Sequence, residues 1–135
     1  MLLTTIVCSL TEMAADRLCD DDGIKTYIIK IKHLGDCIIG VAGDAEDLSK
    51  FIVWYQDQDS DLDMGESTAL VLTKDGIFTY ESEHPIKHEE EYYSIGSGAP
   101  YALSALDSGF TLKESIKAAR KRDLYTGGRI DVIEL

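Results

Sequence analysis

The order in which short apolar runs and helical stretches alternate constrains this chain most: strands, a helix, strands, two helices and a closing strand. Segregated runs of this kind imply an α+β fold, in which mainly antiparallel sheets pack face to face and helices cover them. Residues 4–10 read as a strand, returned through a tight polar turn at residues 9–12 to a short partner over 12–16. Residues 20–23 read as an acidic loop. Residues 25–32 then alternate weakly before Gly35-Asp36 reverses the chain into an apolar strand over 37–41. Leu48, Phe51, Ile52 and Tyr55 recur at helical spacing, with Asp44 as the expected N-cap, and predict a helix over about 45–56. Residues 57–66 carry no apolar period and read as a loop. Lys74-Asp75-Gly76 joins strands over 68–73 and 77–81, because Asp-Gly supports the positive φ angles of a tight hairpin turn. Pro85 breaks the next stretch before a strand over 92–95. Pro100 opens a helix across 101–106, and Gly109 ends it. Thr111 with Glu114 predicts a capping box for a helix whose inner face is Leu112, Ile116 and Ala119. A last strand covers 130–135.

The length of 135 residues and the hydrophobic fraction of 44% suit one domain, 1–135, with one core of ordinary size. The balance of 13 basic against 25 acidic residues repels phosphate backbones and anionic lipid, so neither nucleic acid nor a membrane surface is an expected partner. The acidic runs lack the alternating spacing of a calcium loop and read as solvated turns. Cys8, Cys19 and Cys37 form an odd set without a C-x-x-C pair, which suggests neither a disulfide framework nor a zinc site; Cys8 and Cys37 lie in apolar runs and read as core residues. His84 and His88 flank Pro85, which opposes the helix that would put both on one face, so no metal is expected. No basic leader precedes an apolar segment and no apolar run approaches ~18 residues. The expected location is cytoplasmic.

Chemistry enters at Thr4-Thr5-Ile6-Val7. A threonine hydroxyl needs a base beside it, and a free α-amino group on the same residue is one, with a pKa of about 7.7–8.0 when unperturbed. While Met1-Leu2-Leu3 remains attached, Thr4 carries an amide instead.

Several segments together resemble the N-terminal nucleophile hydrolases of the proteasome β-subunit type, including the bacterial HslV-type peptidase that docks on an AAA+ unfoldase, and their short phage or bacterial relatives. They are Thr4-Thr5-Ile6-Val7, Ala14-Ala15-Asp16, Gly40-Val41-Ala42-Gly43, Ile95-Gly96-Ser97-Gly98 with Tyr101-Ala102, and Arg122-Asp123-Leu124-Tyr125-Thr126-Gly127-Gly128. The resemblance implies an αββα sandwich. It implies Thr4 as nucleophile, Asp16 stabilising the cation of Lys30 (or else Lys32), and Ser97, Asp123 and Thr126 orienting the α-amino group. The backbone amide of Gly43 would stabilise the oxyanion. It implies a peptide or protein substrate, a homo-oligomer as ring or open assembly, an AAA+ unfoldase as partner type, and no cofactor.

The chain departs from that pattern in two places. The second long helix of the first layer is missing, since only residues 57–66 occupy its position. This leaves Phe51, Val53, Trp54 and Tyr55 for a neighbouring subunit, or for the loop itself, to cover. Leu2 is too bulky for ordinary removal of the initiator methionine, and Leu3 stands where proteasome precursors carry glycine for self-cleavage. The expected function is a threonine-type peptidase after removal of Met1-Leu2-Leu3. The alternatives are a catalytically silent oligomeric scaffold, and an amidase of small non-peptide substrates, because fold alone does not fix function.

Overall fold

The computed structural model describes residues 3–135; Met1 and Leu2, part of the segment whose removal would expose Thr4, lie outside the described residues. Two antiparallel sheets face one another. The first contains β1 (Ile6–Ser9), β2 (Glu12–Ala15), β10 (Tyr92–Ile95) and β11 (Asp131–Glu134) in the order β10-β1-β2-β11. The second runs β5 (Ile31–Leu34), β6 (Cys37–Ala42), β7 (Thr68–Thr73), β8 (Gly76–Tyr80) and β9 (Ile86–His88) in sequence order. Strand period 2 sorts the side chains: Ile6, Cys8, Met13, Ala15, Ile31, Ile38, Leu70 and Leu72 fill the space between the sheets. Val7 and Ala14 point outward beneath α2 (Ala99–Asp107) and α3 (Leu112–Arg120). Ile39, Val41, Ala69 and Val71 point the other way, beneath α1 (Asp47–Asp57). The layers are thus helix pair, sheet, sheet, helix, the sandwich that the motifs imply, without a second helix beside α1 among the described residues.

Most elements form where the pattern places them, and the exceptions have local causes. β1 begins at Ile6 instead of residue 4, because the Thr4 carbonyl accepts from the Gly98 amide at 3.1 Å outside any strand. The capping box of α3 is formed in both directions between Thr111 and Glu114. Asp44 does not cap α1. Its amide instead donates to the Asp47 carboxylate at 3.2 Å, and Glu46 takes the cap position without a side-chain bond. Residues 20–23 are not a loop: β3 (Leu18–Asp21) and β4 (Ile24–Tyr27) form a hairpin of their own through Asp22 and Gly23, both at positive φ. The expected strand over 25–32 therefore divides, with one half in this hairpin and the other beginning β5 at Ile31.

The residues after α1 stay irregular, as their polarity predicts, and fold back over the helix. Leu62 and Met64 pack on Phe51, Trp54 and Tyr80, and the Trp54 indole donates to the Ser60 carbonyl at 2.9 Å. Phe51 and Trp54 are consequently buried and Tyr55 half-buried, so of the expected apolar patch only Val53 stays exposed.

The two sheets meet most closely at Gly40 of β6. A Cβ there would stand 2.9 Å from Cγ2 of Ile31 and 3.1 Å from both Cγ2 of Ile6 and the Met13 sulfur. β-Branched side chains in a packed core have no alternative rotamer to retreat to. Gly40→Ala is expected to lower stability by about 1–3 kcal/mol. A fall in the urea midpoint at unchanged slope checks this, whereas an unchanged midpoint would mean that the sheets separate without cost.

Candidate active site

Three hairpin ends converge at one edge of the sandwich. The turn joining β1 to β2 is set by the Ser9 hydroxyl, which accepts from the Thr11 and Glu12 amides, each at 3.2 Å. That turn fixes the register Ile6 opposite Ala15, so one step beyond the ladder Asp16 lies opposite Thr5. Across the sandwich, β5 and β6 pair with Ile31 opposite Gly40, which sets Lys30 beside Val41 at the open end of that hairpin. The β3–β4 hairpin crosses in front, where the Ile28 amide donates to the Arg17 carbonyl at 2.8 Å.

Thr4, Asp16 and Lys30 meet there, all buried. The Thr4 hydroxyl donates to Asp16 Oδ1 at 2.5 Å and accepts from the Lys30 ammonium at 2.6 Å. Lys30 also donates to Asp16 Oδ1 at 3.0 Å and to the Leu18 carbonyl at 2.5 Å, so each of its N–H groups has an acceptor. Asp16 accepts further from the Thr5 amide at 3.2 Å and, through Oδ2, from the Gly127 amide at 2.9 Å. Burial pulls the Lys30 pKa down from its ordinary value. The charge and hydrogen bond of Asp16 oppose the shift, with smaller help from Cys19 and Asp123. Lys32, the other lysine considered for this place, is exposed.

A second cluster holds the main-chain side of Thr4. The Thr4 nitrogen donates to Ser97 Oγ at 3.2 Å, Ser97 donates to Asp123 Oδ2 at 2.7 Å, and Thr126 donates to the same oxygen at 2.6 Å. Because the Thr126 proton is committed to Asp123, the Thr5 hydroxyl, 2.6 Å from Thr126, is the donor of that pair. Ser97 reaches Thr4 only because Gly96 turns the chain at φ +100°, where a side chain would press on the Thr4 backbone. Gly43 follows β6 at φ +154°, and a Cβ there would run into Ser67. Thr4, Lys30 and Gly43 all border one cleft of about 490 Å³, walled also by the β3–β4 hairpin.

The structure thus brings Thr4, Asp16, Lys30, Ser97, Asp123 and Thr126 into one continuous hydrogen-bonded assembly, with Gly43 across the cleft. Sequence reasoning missed the Leu18 carbonyl, the Gly127 amide and the Thr5 hydroxyl, which carry no local signal. It also missed the β3–β4 wall, which the Asp22-Gly23 dipeptide could have revealed. Chemically, the assembly places a hydroxyl between an ammonium and a carboxylate, next to the nitrogen of its own residue. A nearby cation favours a deprotonated oxygen, which is how a weak alcohol gains nucleophilicity.

No protein-family model matches the chain, and no curated protein matches it. By structure it is similar to BPH of Thiobacillus denitrificans in complex with epoxomicin, with a TM-score of 0.75 at 20% identity, covering 98% of this chain and 97% of that one. It is likewise similar to eukaryotic HslV from Trypanosoma brucei, with a TM-score of 0.79 at 18% identity, covering 97% of this chain and 98% of that one. The fold is therefore that of the HslV-type proteasome-related peptidases. The protein is a proteasome-fold chain, as its motifs suggested.

The cysteines differ in setting. Cys8 lies between the sheets, where burial pushes its thiol from 9.0 up to about 12, whereas half-buried Cys19 borders the cleft. Iodoacetamide is expected to modify Cys19 of the folded protein first and Cys8 only after unfolding, as read by peptide mass mapping. Between pH 9.0 and 12 the unfolded chain releases the Cys8 proton that the folded chain retains, so stability falls as pH rises through that window. Equal labelling of both thiols in the native state would contradict the packing of the sandwich.

Proposed function

We propose that this protein is a threonine-type peptidase of the proteasome β-subunit class, with Thr4 as its N-terminal nucleophile. One observation carries the reading: the Thr4 hydroxyl lies 2.5 Å from Asp16 and 2.6 Å from Lys30, while Ser97 holds the nitrogen of the same residue. In the described chain that nitrogen belongs to the Leu3–Thr4 peptide bond. Once the bond is cut, the nitrogen becomes an amine that donates to Ser97 and keeps its lone pair for the hydroxyl proton. Thr4 Oγ1 then bonds to the substrate carbonyl carbon, and the developing oxyanion faces the Gly43 amide. The C–N bond breaks as the proton passes to the leaving amine, and water hydrolyses the resulting ester. Lys30 lowers the cost of charge on Oγ1, and Asp16 holds Lys30 in place. The chain supplies nucleophile and base itself, and the reading calls on no cofactor. A protein or peptide substrate, a homo-oligomeric assembly, an AAA+ unfoldase as partner and a cytoplasmic location belong to this reading.

A second reading, a silent scaffold of the same fold, is favoured by the chemistry of Leu2 and Leu3, whose bulk opposes both removal of the initiator methionine and self-cleavage before Thr4. Intact mass separates the two. The peptidase reading expects a species that begins at Thr4, gains the mass of one epoxomicin, and loses that adduct in Thr4→Ala. Lys30→Ala is expected to lower kcat by about 10²-fold or more. Retention of Leu3 in every preparation, with no adduct and no peptide turnover, would establish the scaffold instead.

A further inference from the structure

The cleft beside Thr4 carries a charge pattern that the hydrogen-bonded assembly does not require. Its apolar walls include Ile28, Val41 and Leu48, and three carboxylates, Asp20, Asp21 and Asp44, line it with them. The ammonium of Lys30 also borders it, but that group is buried and donates to Thr4, Asp16 and Leu18. Among the described residues, no lysine or arginine ion-pairs with Asp20, Asp21 or Asp44. Asp20 is held in place, its Oδ1 accepting from the Gly23 amide at 2.8 Å. Apart from the buried and fully bonded Lys30, the charged residues that border the cleft are acidic, and carboxylates beside apolar walls concentrate counter-charges. The side chains that match apolar walls ending in carboxylates are lysine and arginine, whose aliphatic stems bury while their cationic heads stay among polar groups.

On this basis, and resting on the peptidase reading above, we infer that the cleft receives a lysine or arginine side chain next to the carbonyl that Thr4 attacks. The substrate class is then basic peptide segments, selected by Asp20, Asp21 and Asp44. The remaining acidic surface adds to the preference at long range, since the chain as a whole carries a net charge of −12.

The test uses protein with Thr4 exposed and three fluorogenic peptides identical except for arginine, leucine or glutamate at the residue before the scissile bond. The expected kcat/KM for arginine exceeds that for leucine by about tenfold, the sum of a few partly screened ion pairs, and exceeds that for glutamate by more. The advantage lies in KM and shrinks with added salt. In the Asp20→Asn/Asp21→Asn/Asp44→Asn triple variant the arginine-to-leucine ratio falls towards one. Because the ratio is taken within one preparation, partial misfolding of the variant cancels. A parent enzyme that prefers leucine or glutamate, or a triple variant that keeps the arginine advantage, overturns the inference and leaves the peptidase reading standing. No turnover of any peptide together with no epoxomicin adduct overturns the peptidase reading, and this inference with it.

Discussion

The buried contact between Lys30 and Asp16 is the interaction on which the rest of the arrangement depends. An ammonium removed from water is costly, and it is held charged only by a partner carboxylate and by acceptors for its remaining protons. Here those acceptors are the Thr4 hydroxyl and the Leu18 carbonyl, so Lys30, just before β5, ties the segment leading into β1 to the start of the β3–β4 hairpin. Asp16 in turn gathers the Thr5 and Gly127 amides, which brings the segment after α3 against the start of β1. Removing either charge would leave the other buried without compensation. The pair therefore constrains the edge of the sandwich as well as the electrostatics around Thr4.

The sandwich gives that edge its rigidity. Tight packing at Gly40 brings β6 close to β1 and β2, and the hairpin registers fix how far each chain projects beyond its ladder. Side chains that emerge from the ends of rigid strands are held more closely than side chains on long loops. The absence of a second helix beside α1 among the described residues does not disturb this edge, because α1 packs on the face of the five-stranded sheet turned away from the first sheet. There residues 58–67 cover Phe51 and Trp54 instead, and the apolar surface that a neighbour would otherwise have to cover is reduced to Val53.

What could be read from the chain before folding follows the range of the interactions. The Asp75-Gly76 turn, the Thr111–Glu114 capping box and the apolar stripe of α1 are set by residues within a turn or two of one another, and they appear where their pattern places them. The β3–β4 hairpin escaped notice because its strands carry almost no alternation. Ile24 and Tyr27 are exposed, and the acidic residues suggested solvated coil. Asp44 is not the cap because α1 begins only at Asp47, which puts Glu46 at the cap position without a side-chain bond, and spacing alone does not fix a helix start to the residue.

The sequence by itself determined the order of the elements with a clear apolar period, the Asp75-Gly76 turn and the inner face of α3, but not the β3–β4 hairpin or β9. Short-range sterics and the burial of alternating side chains leave few other solutions. The motifs also named Thr4, Asp16, Lys30, Ser97, Asp123 and Thr126, but through resemblance, since nothing local to any of them indicates its partners. Only the tertiary structure decided that Lys30 and not Lys32 turns inward, that Thr5 closes the cluster on Asp123, and that the β3–β4 hairpin walls the cleft with carboxylates. Contacts between residues so distant in the chain depend on strand register and on the stacking of two sheets, and those are properties of the assembled core alone.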